Sequence, residues 1–379
     1  MRAFSPLLIP LFGSACLAGV WDFDISIRDT YRTIQWDLGT PGAAHNLLYD
    51  TGSATLWVLD GTCTDKCPNS SKFPRSKYNL TSTGKAYYNT TGSIEYDGGK
   101  VFGHLVSDIA GIPGTNVSFR QKFASITSSS WSSLGSDGFL GLASSSIAFT
   151  NTTSPFENAM QQGLLDKPRF SIYHGAALST ESNPSPQNNG VLTMGGSHED
   201  VYADGEVQFF PIETPFEVYK ANFLGLSGTR HFSGQNKQHA SLNWTGAVVF
   251  DTGSGLSEIP ESKIEAVYNM TPWTYEKLMT GYRPLCSEFN DTWSVSFTFG
   301  SHDDHKTFKV TGDQLATPGY EDDEHCFPPF NPWSSSNIIL GANWMGNFYS
   351  VFDFGSFEPS NYDLRIGFAP LKKKYQPKV

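Results

Sequence analysis

Leu47-Leu48-Tyr49-Asp50-Thr51-Gly52-Ser53 and Val248-Val249-Phe250-Asp251-Thr252-Gly253-Ser254 are two copies of one pattern. In each, an apolar strand delivers an aspartate into a tight Gly-containing turn. Each copy is followed by an apolar-apolar-Gly run, Phe139-Leu140-Gly141 and Ile339-Leu340-Gly341. Gly141 lies 91 residues beyond Asp50, and Gly341 lies 90 beyond Asp251. A single Asp-Thr-Gly is a common turn and means little. Two copies with matched partners predict a duplicated lobe, each half offering one carboxylate to a shared acid–base pair.

The rest of the chain fits two large β-rich lobes. It has 379 residues, of which 17% are charged and 14% aromatic, with 36 Gly. That composition predicts strands and turns rather than long helices or disorder. The net charge of −11 argues against nucleic-acid partners and suits work in acid, where self-repulsion is relieved. Strand-like stretches include Tyr31–Leu38, Gly190–Met194 and Thr292–Phe299, each running into glycine punctuation. Two short helices are expected. One begins at the Ser154-Pro155-Phe156-Glu157 start signal and runs to Gly163; the other is Pro260–Tyr268, with Ile264, Val267 and Tyr268 on one face. Their places in the two halves correspond only loosely. Ser179–Asn189 reads as a surface loop, and the lobe boundary falls near Gly205.

The N-terminus reads as a secretory signal over residues 1–18, with Arg2 before an apolar run, Leu7 to Phe12, and small residues up to Ala18. The N-terminal lobe then spans 19–204 and the C-terminal lobe 205–379. No other segment is apolar enough to span a membrane, and the basic end, Lys372 to Val379, is not a lipid-anchor signal. Cleavage after Ala18 removes Cys16 and leaves four of the five cysteines. Cys63 and Cys67 are close enough to staple a small loop, and Cys286 with Cys326 would close a longer one. Metal-like spacing occurs in one pair only, with no accompanying His motif, so no metal is expected. Sequons stand at Asn69, Asn79, Asn89, Asn116, Asn151, Asn243, Asn269 and Asn290, a density that suits a secreted glycoprotein. Asp303-Asp304 and Glu321-Asp322-Asp323-Glu324 lack calcium-loop spacing and read as solvated loops. Gly-X-Ser-X-Gly does not occur, and the nine His have no triad context.

From about residue 22 to Pro370 the chain resembles the pepsin-like aspartic proteases, of the secreted, eukaryotic, fungal type. The carrying segments are Gly39-Thr40-Pro41, Asp50-Thr51-Gly52-Ser53, Leu56-Trp57-Val58, Ile94-Glu95-Tyr96, Asp137-Gly138-Phe139-Leu140-Gly141-Leu142-Ala143, Asp251-Thr252-Gly253-Ser254 and Ile339-Leu340-Gly341. The resemblance implies an all-β bilobal fold, two pseudo-symmetric lobes around a central cleft, with a β-hairpin flap over it. It makes Asp50 and Asp251 the catalytic pair and Tyr96 the flap tyrosine, held by a hydrogen bond from Trp57. Tyr96, Asp97, Gly98, Gly52, Gly253 and Thr252 would line the bound substrate. Ser53 and Ser254 would support the outer carboxylate oxygens, with Thr51 beside them. The expected activity is cofactor-free endopeptidase cleavage in acid by a monomer. Its partner would be a polypeptide bound as an added strand. The rival is a non-catalytic binding protein on the same fold, such as a glycosidase inhibitor. Such relatives usually lose an Asp or its Thr-Gly, and here both motifs are intact.

Several positions depart from the family. Asp97 follows the flap tyrosine where most relatives have Gly, and would attract a basic substrate residue unless Lys100 neutralises it. Gly255 stands where relatives carry Ser or Thr, removing a hydrogen bond to substrate backbone. Ser136 replaces a bulky aromatic and predicts a roomier specificity pocket. Relatives carry an inhibitory prosegment, yet almost nothing lies between Ala18 and the first strands. Either the chain folds without one, or the sequence is an incomplete gene product.

Overall fold

The computed structural model describes residues 18–28, 31–175, 189–231, 236, 238–318 and 324–377. All but Ala18 of the signal reading, Cys16 included, all but Asn189 of the Ser179–Asn189 loop, Glu321 to Asp323, and Lys378 with Val379 lie outside the described residues. The architecture is two eight-stranded sheets and a six-stranded sheet.

The first sheet runs, in spatial order, Ser26–Arg28, Tyr31–Leu38, Ala43–Asp50, Gly138–Gly141, Leu56–Leu59, Ser118–Ser129, Gly99–Gly111 and Lys85–Tyr96. Its centre repeats in the second sheet. Ala43–Asp50 pairs in parallel with Gly138–Gly141, which pairs antiparallel with Leu56–Leu59. Likewise Gly246–Phe250 pairs in parallel with Ile338–Leu340, which pairs antiparallel with Ser257–Pro260. The matched spacing in the sequence is therefore one three-strand unit built twice. Its recurring glycine has a steric cause. A Cβ on Gly141 would lie 2.3 Å from the Ala54 carbonyl carbon, and one on Gly341 would lie 2.4 Å from the Leu256 oxygen. Only glycine lets each strand pass under the loop that follows its aspartate.

The six-stranded sheet joins the halves. Its order is Trp21–Asp24, Asn189–Met194, Arg169–Gly175, Phe348–Asp353, Arg365–Pro370 and Gln208–Pro211, with strands from both sides of Gly205. One large apolar cluster extends through all three sheets and includes Trp36, Phe170, Phe250, Trp344 and Phe352. A second cluster lies under the flap hairpin and holds Leu48, Trp57, Val101, Leu105 and Phe139.

Tyr31–Leu38 forms the expected strand, Gly190–Met194 starts one residue earlier as Asn189–Met194, and Thr292–Phe299 is shifted by one residue at both ends to Trp293–Gly300. The first helix is Pro155–Gln161, with Ser154 as its cap accepting from the Glu157 N–H at 3.5 Å. The second is Glu261–Tyr268, burying Ile264, Val267 and Tyr268. Among the described residues no helix is long and apolar enough to cross a membrane.

Candidate active site

Asp50 ends the strand Ala43–Asp50, whose Leu47, Leu48 and Tyr49 are buried. Asp251 follows Gly246–Phe250, and its N–H donates to the Leu340 carbonyl at 3.1 Å. Both aspartates are thus held by the middle of a sheet rather than by a mobile loop.

The turns that follow are bound to each other. Thr51 Oγ1 donates to the Phe250 carbonyl at 2.7 Å, and Thr252 Oγ1 donates to the Tyr49 carbonyl at 2.8 Å. Each hydroxyl also accepts the other threonine's backbone N–H at 3.0 Å. All four bonds are buried, so their loss would expose groups that water cannot reach. The contact is close enough to require glycine on both sides. A Cβ on Gly52 would lie 2.6 Å from the Asp251 carboxyl, and one on Gly253 would lie 2.6 Å from Asp50 Oδ1.

Each carboxylate has one donor on each oxygen. Gly52 N–H donates to Asp50 Oδ1 at 2.9 Å, and Ser53 Oγ donates to Oδ2. Gly253 N–H donates to Asp251 Oδ1 at 2.8 Å, and Ser254 Oγ to Oδ2 at 2.9 Å. Asp50 is 4% exposed. Burial first, then the Asp251 charge beside it, push its carboxyl well above the usual carboxylate range, against the pull of Ser53 and Gly52. Adjacent carboxylates of this kind titrate as a pair.

The flap is the hairpin Lys85–Tyr96 with Gly99–Gly111, closed at Tyr96 opposite Gly99, so Asp97 and Gly98 form its tip. The Tyr96 hydroxyl accepts Trp57 Nε1–H at 2.8 Å. Burial, then the Asp50 charge, raise the phenol's pKa. The ring packs against Phe139 at 5.1 Å and Trp131 at 5.2 Å. Trp131 also stacks on Trp57 at 6.1 Å. Sequence reasoning missed Trp131, although a lone indole within Ser128 to Ser133 was a signal that it packs on something.

Ser136, where the sequence predicts a roomier specificity pocket, is fully buried, and its Oγ has no hydrogen-bond partner. The rings of Trp131 and Phe139 lie beside Tyr96. Gly255 does face open space. Lys100 pairs with Glu95 at 2.5 Å across the hairpin, leaving Asp97 at the tip. A further carboxylate that the sequence reading passed over, Glu258, is half-buried on Ser257–Pro260.

The Cys63–Cys67 and Cys286–Cys326 disulfides form as expected. Cys63 and Cys67 belong to the apolar cluster under the flap. Asn69, Asn79, Asn89, Asn116, Asn151, Asn243 and Asn269 are exposed. Asn290 is half-buried, its amide donating to the Ser287 carbonyl at 3.1 Å.

The profile of the family described as eukaryotic aspartyl protease matches residues 31–370. A vacuolar aspartic protease of Candida albicans is 27% identical over 346 residues, covering 88% of this chain and 74% of that protein. Cathepsin E of Aquarana catesbeiana is 28% identical, covering 89% of this chain and 78% of its own length. Human napsin-A is 28% identical over 366 residues, covering 91% and 79%.

Proposed function

The chain belongs to the eukaryotic aspartyl protease family, and on that premise we propose that it is an endopeptidase working in acid, with Asp50 and Asp251 as its catalytic pair. The observation that carries this reading is the interlocked pair of Asp-Thr-Gly turns, with a buried Asp50 carboxylate in one and a partly buried Asp251 carboxylate in the other. Two carboxylates this close cannot both ionise cheaply, so the pair keeps one proton over an acid range. The ionised member takes a proton from water as the water oxygen bonds to the peptide carbonyl carbon. The protonated member gives its proton to the carbonyl oxygen, forming a gem-diol. Collapse breaks the C–N bond, the amine nitrogen takes a proton from one carboxyl, and the other regains the hydroxyl proton. No covalent enzyme intermediate and no cofactor enters the cycle.

The substrate lies extended beneath the flap, and Tyr96, Asp97 and Gly98 close over it. Gly52, Thr252 and Gly253 keep the floor of the cleft small. Ser53 and Ser254 hold the outer carboxylate oxygens, and Trp57 holds Tyr96. The two disulfides and the exposed sequons support passage through an oxidising secretory compartment, with release from the cell as the proposed end point.

The test is digestion of a denatured protein by the purified chain from pH 3 to pH 8. Cleavage should be greatest in acid and fall toward neutral, as the pair loses its shared proton. A maximum at or above pH 8 would contradict this mechanism. Binding of polypeptide without cleavage at any pH would favour the binding-protein reading.

A further inference from the structure

The flap tip is a short lever. Gly99–Gly111 pairs with Ser118–Ser129, but the register breaks between Phe102 and Gly103. Beyond the break the ladder keeps only Phe102 opposite Ser128 and Val101 opposite Ser129. Two further bonds extend it toward the tip. Ser130 N–H donates to the Lys100 carbonyl at 2.9 Å, and Lys100 N–H donates to Ser130 Oγ at 2.8 Å. The next residue is the half-buried Trp131.

Trp131 meets the flap with its ring. A Cβ on Gly99 would lie 2.8 Å from the indole and 2.7 Å from Ser130 Oγ, and one on Gly98 would lie 3.2 Å from the indole nitrogen. Neither glycine has a positive φ, so contact with the ring, not turn geometry, favours glycine there. The same indole is 5.3 Å from Phe139 and nearly parallel to Trp57, at 7°. Aromatic packing therefore runs unbroken from the central strands to the flap backbone. The segment carrying Trp131 is held from behind. Ser129 N–H donates to the Lys66 carbonyl at 2.8 Å, and Ser70 Oγ donates to the Ser132 carbonyl at 2.9 Å. Lys66 and Ser70 flank Cys67, whose disulfide to Cys63 closes that loop.

We infer that Trp131 is a positioning residue: its indole is the seat on which Gly98 and Gly99 rest, and it keeps the flap tip in place before substrate arrives. The inference rests on the protease reading and adds a residue that acts through the flap. The Trp57 bond fixes only the Tyr96 hydroxyl, whereas the indole supports the backbone at the tip. Without the seat the tip swings at the Phe102–Gly103 break, and substrate must order it on binding. If seated molecules fall to about a tenth of the total, KM rises about tenfold while kcat at saturation is kept.

The experiment begins with hydrogen exchange of the intact protein, which reads the flap without reference to activity. In Trp131→Ala the segment Tyr96–Phe102 should exchange about tenfold faster than in wild type, with Gly103–Gly111 unchanged. Trp131→Phe, which keeps a ring, should restore most of the protection. On a peptide that wild type cleaves, Trp131→Ala should raise KM about tenfold and leave kcat within about twofold. Gly99→Ala presses on the seat from the flap side. It should lower kcat/KM in wild type by several-fold more than in the Trp131→Ala background. Unchanged exchange at the tip, exchange raised throughout the chain, a fall in kcat with KM unchanged, or additive effects of Gly99→Ala and Trp131→Ala would each overturn the inference and leave the protease reading standing. Failure of wild type to cleave any peptide, with the exchange result holding, would remove the protease reading and leave the seat.

Discussion

At the residue scale, the two Asp-Thr-Gly turns were legible because each position is constrained by its own chemistry. Glycine is needed at residues 52 and 253 because the opposite aspartate occupies the space of a Cβ. Threonine is needed because its hydroxyl both donates and accepts across the junction. Thr51→Val keeps the shape and removes that hydroxyl, leaving the Phe250 carbonyl and the Thr252 N–H unpaired. We expect about 2–4 kcal/mol of lost stability, read from denaturant unfolding, with a parallel loss of peptide cleavage. Unchanged stability would mean that the turns do not depend on each other. Glu258 was not legible, because a glutamate in a short strand has no local signature. Its environment is set by the flap, 161 residues earlier at Asp97.

At the element scale, strands with apolar runs and glycine ends were readable, and so were helices with a start signal. The short helix Tyr275–Met279 was not, because five residues give too little periodicity to register. The six-stranded sheet was also hidden. Its pairings join residues far apart in the chain, such as Phe170 with Phe352, which no local pattern announces. The disulfides can be ranked by the chain they close. The Cys286–Cys326 bond spans 40 residues and Cys63–Cys67 only four. Replacing the first pair with alanine should cost about 4 kcal/mol, and the second about 2 kcal/mol, from unfolded-state entropy alone. Thermal unfolding of the two double variants checks the order. A larger loss at Cys63–Cys67 would show that its packing under the flap outweighs loop closure.

At the scale of the whole molecule, stability is drawn in two directions by pH. The folded pKa of Asp50 lies above its ordinary 3.8, and burial with two neighbouring charges lifts Glu258 from 4.5 to about 7. Their contributions are complete below those ordinary values and are lost as pH rises through the folded ones. His174 is buried and neutral, with its pKa well below 6.5, and burial lowers His45 in the same sense. Their contributions are complete above pH 6.5 and are lost as pH falls toward the folded values. The melting temperature should therefore pass through a maximum within the acid range, and Asp50→Asn should flatten its decline toward neutral. A melting temperature that climbs steadily from pH 4 to pH 8 would count against the buried, shared proton. The duplication was visible at this scale because a repeated unit repeats its glycine and aspartate constraints. The joining of the halves was not, since the sheet that unites them is written in neither repeat. The central claim is that Asp50 and Asp251 act as one catalytic unit. The direct measurement is kcat/KM for peptide hydrolysis at pH 4 by wild type, Asp50→Asn and Asp251→Asn, with circular dichroism to establish folding. Each variant should stay folded and lose about 10³-fold or more; near-normal turnover by either folded variant would contradict the account.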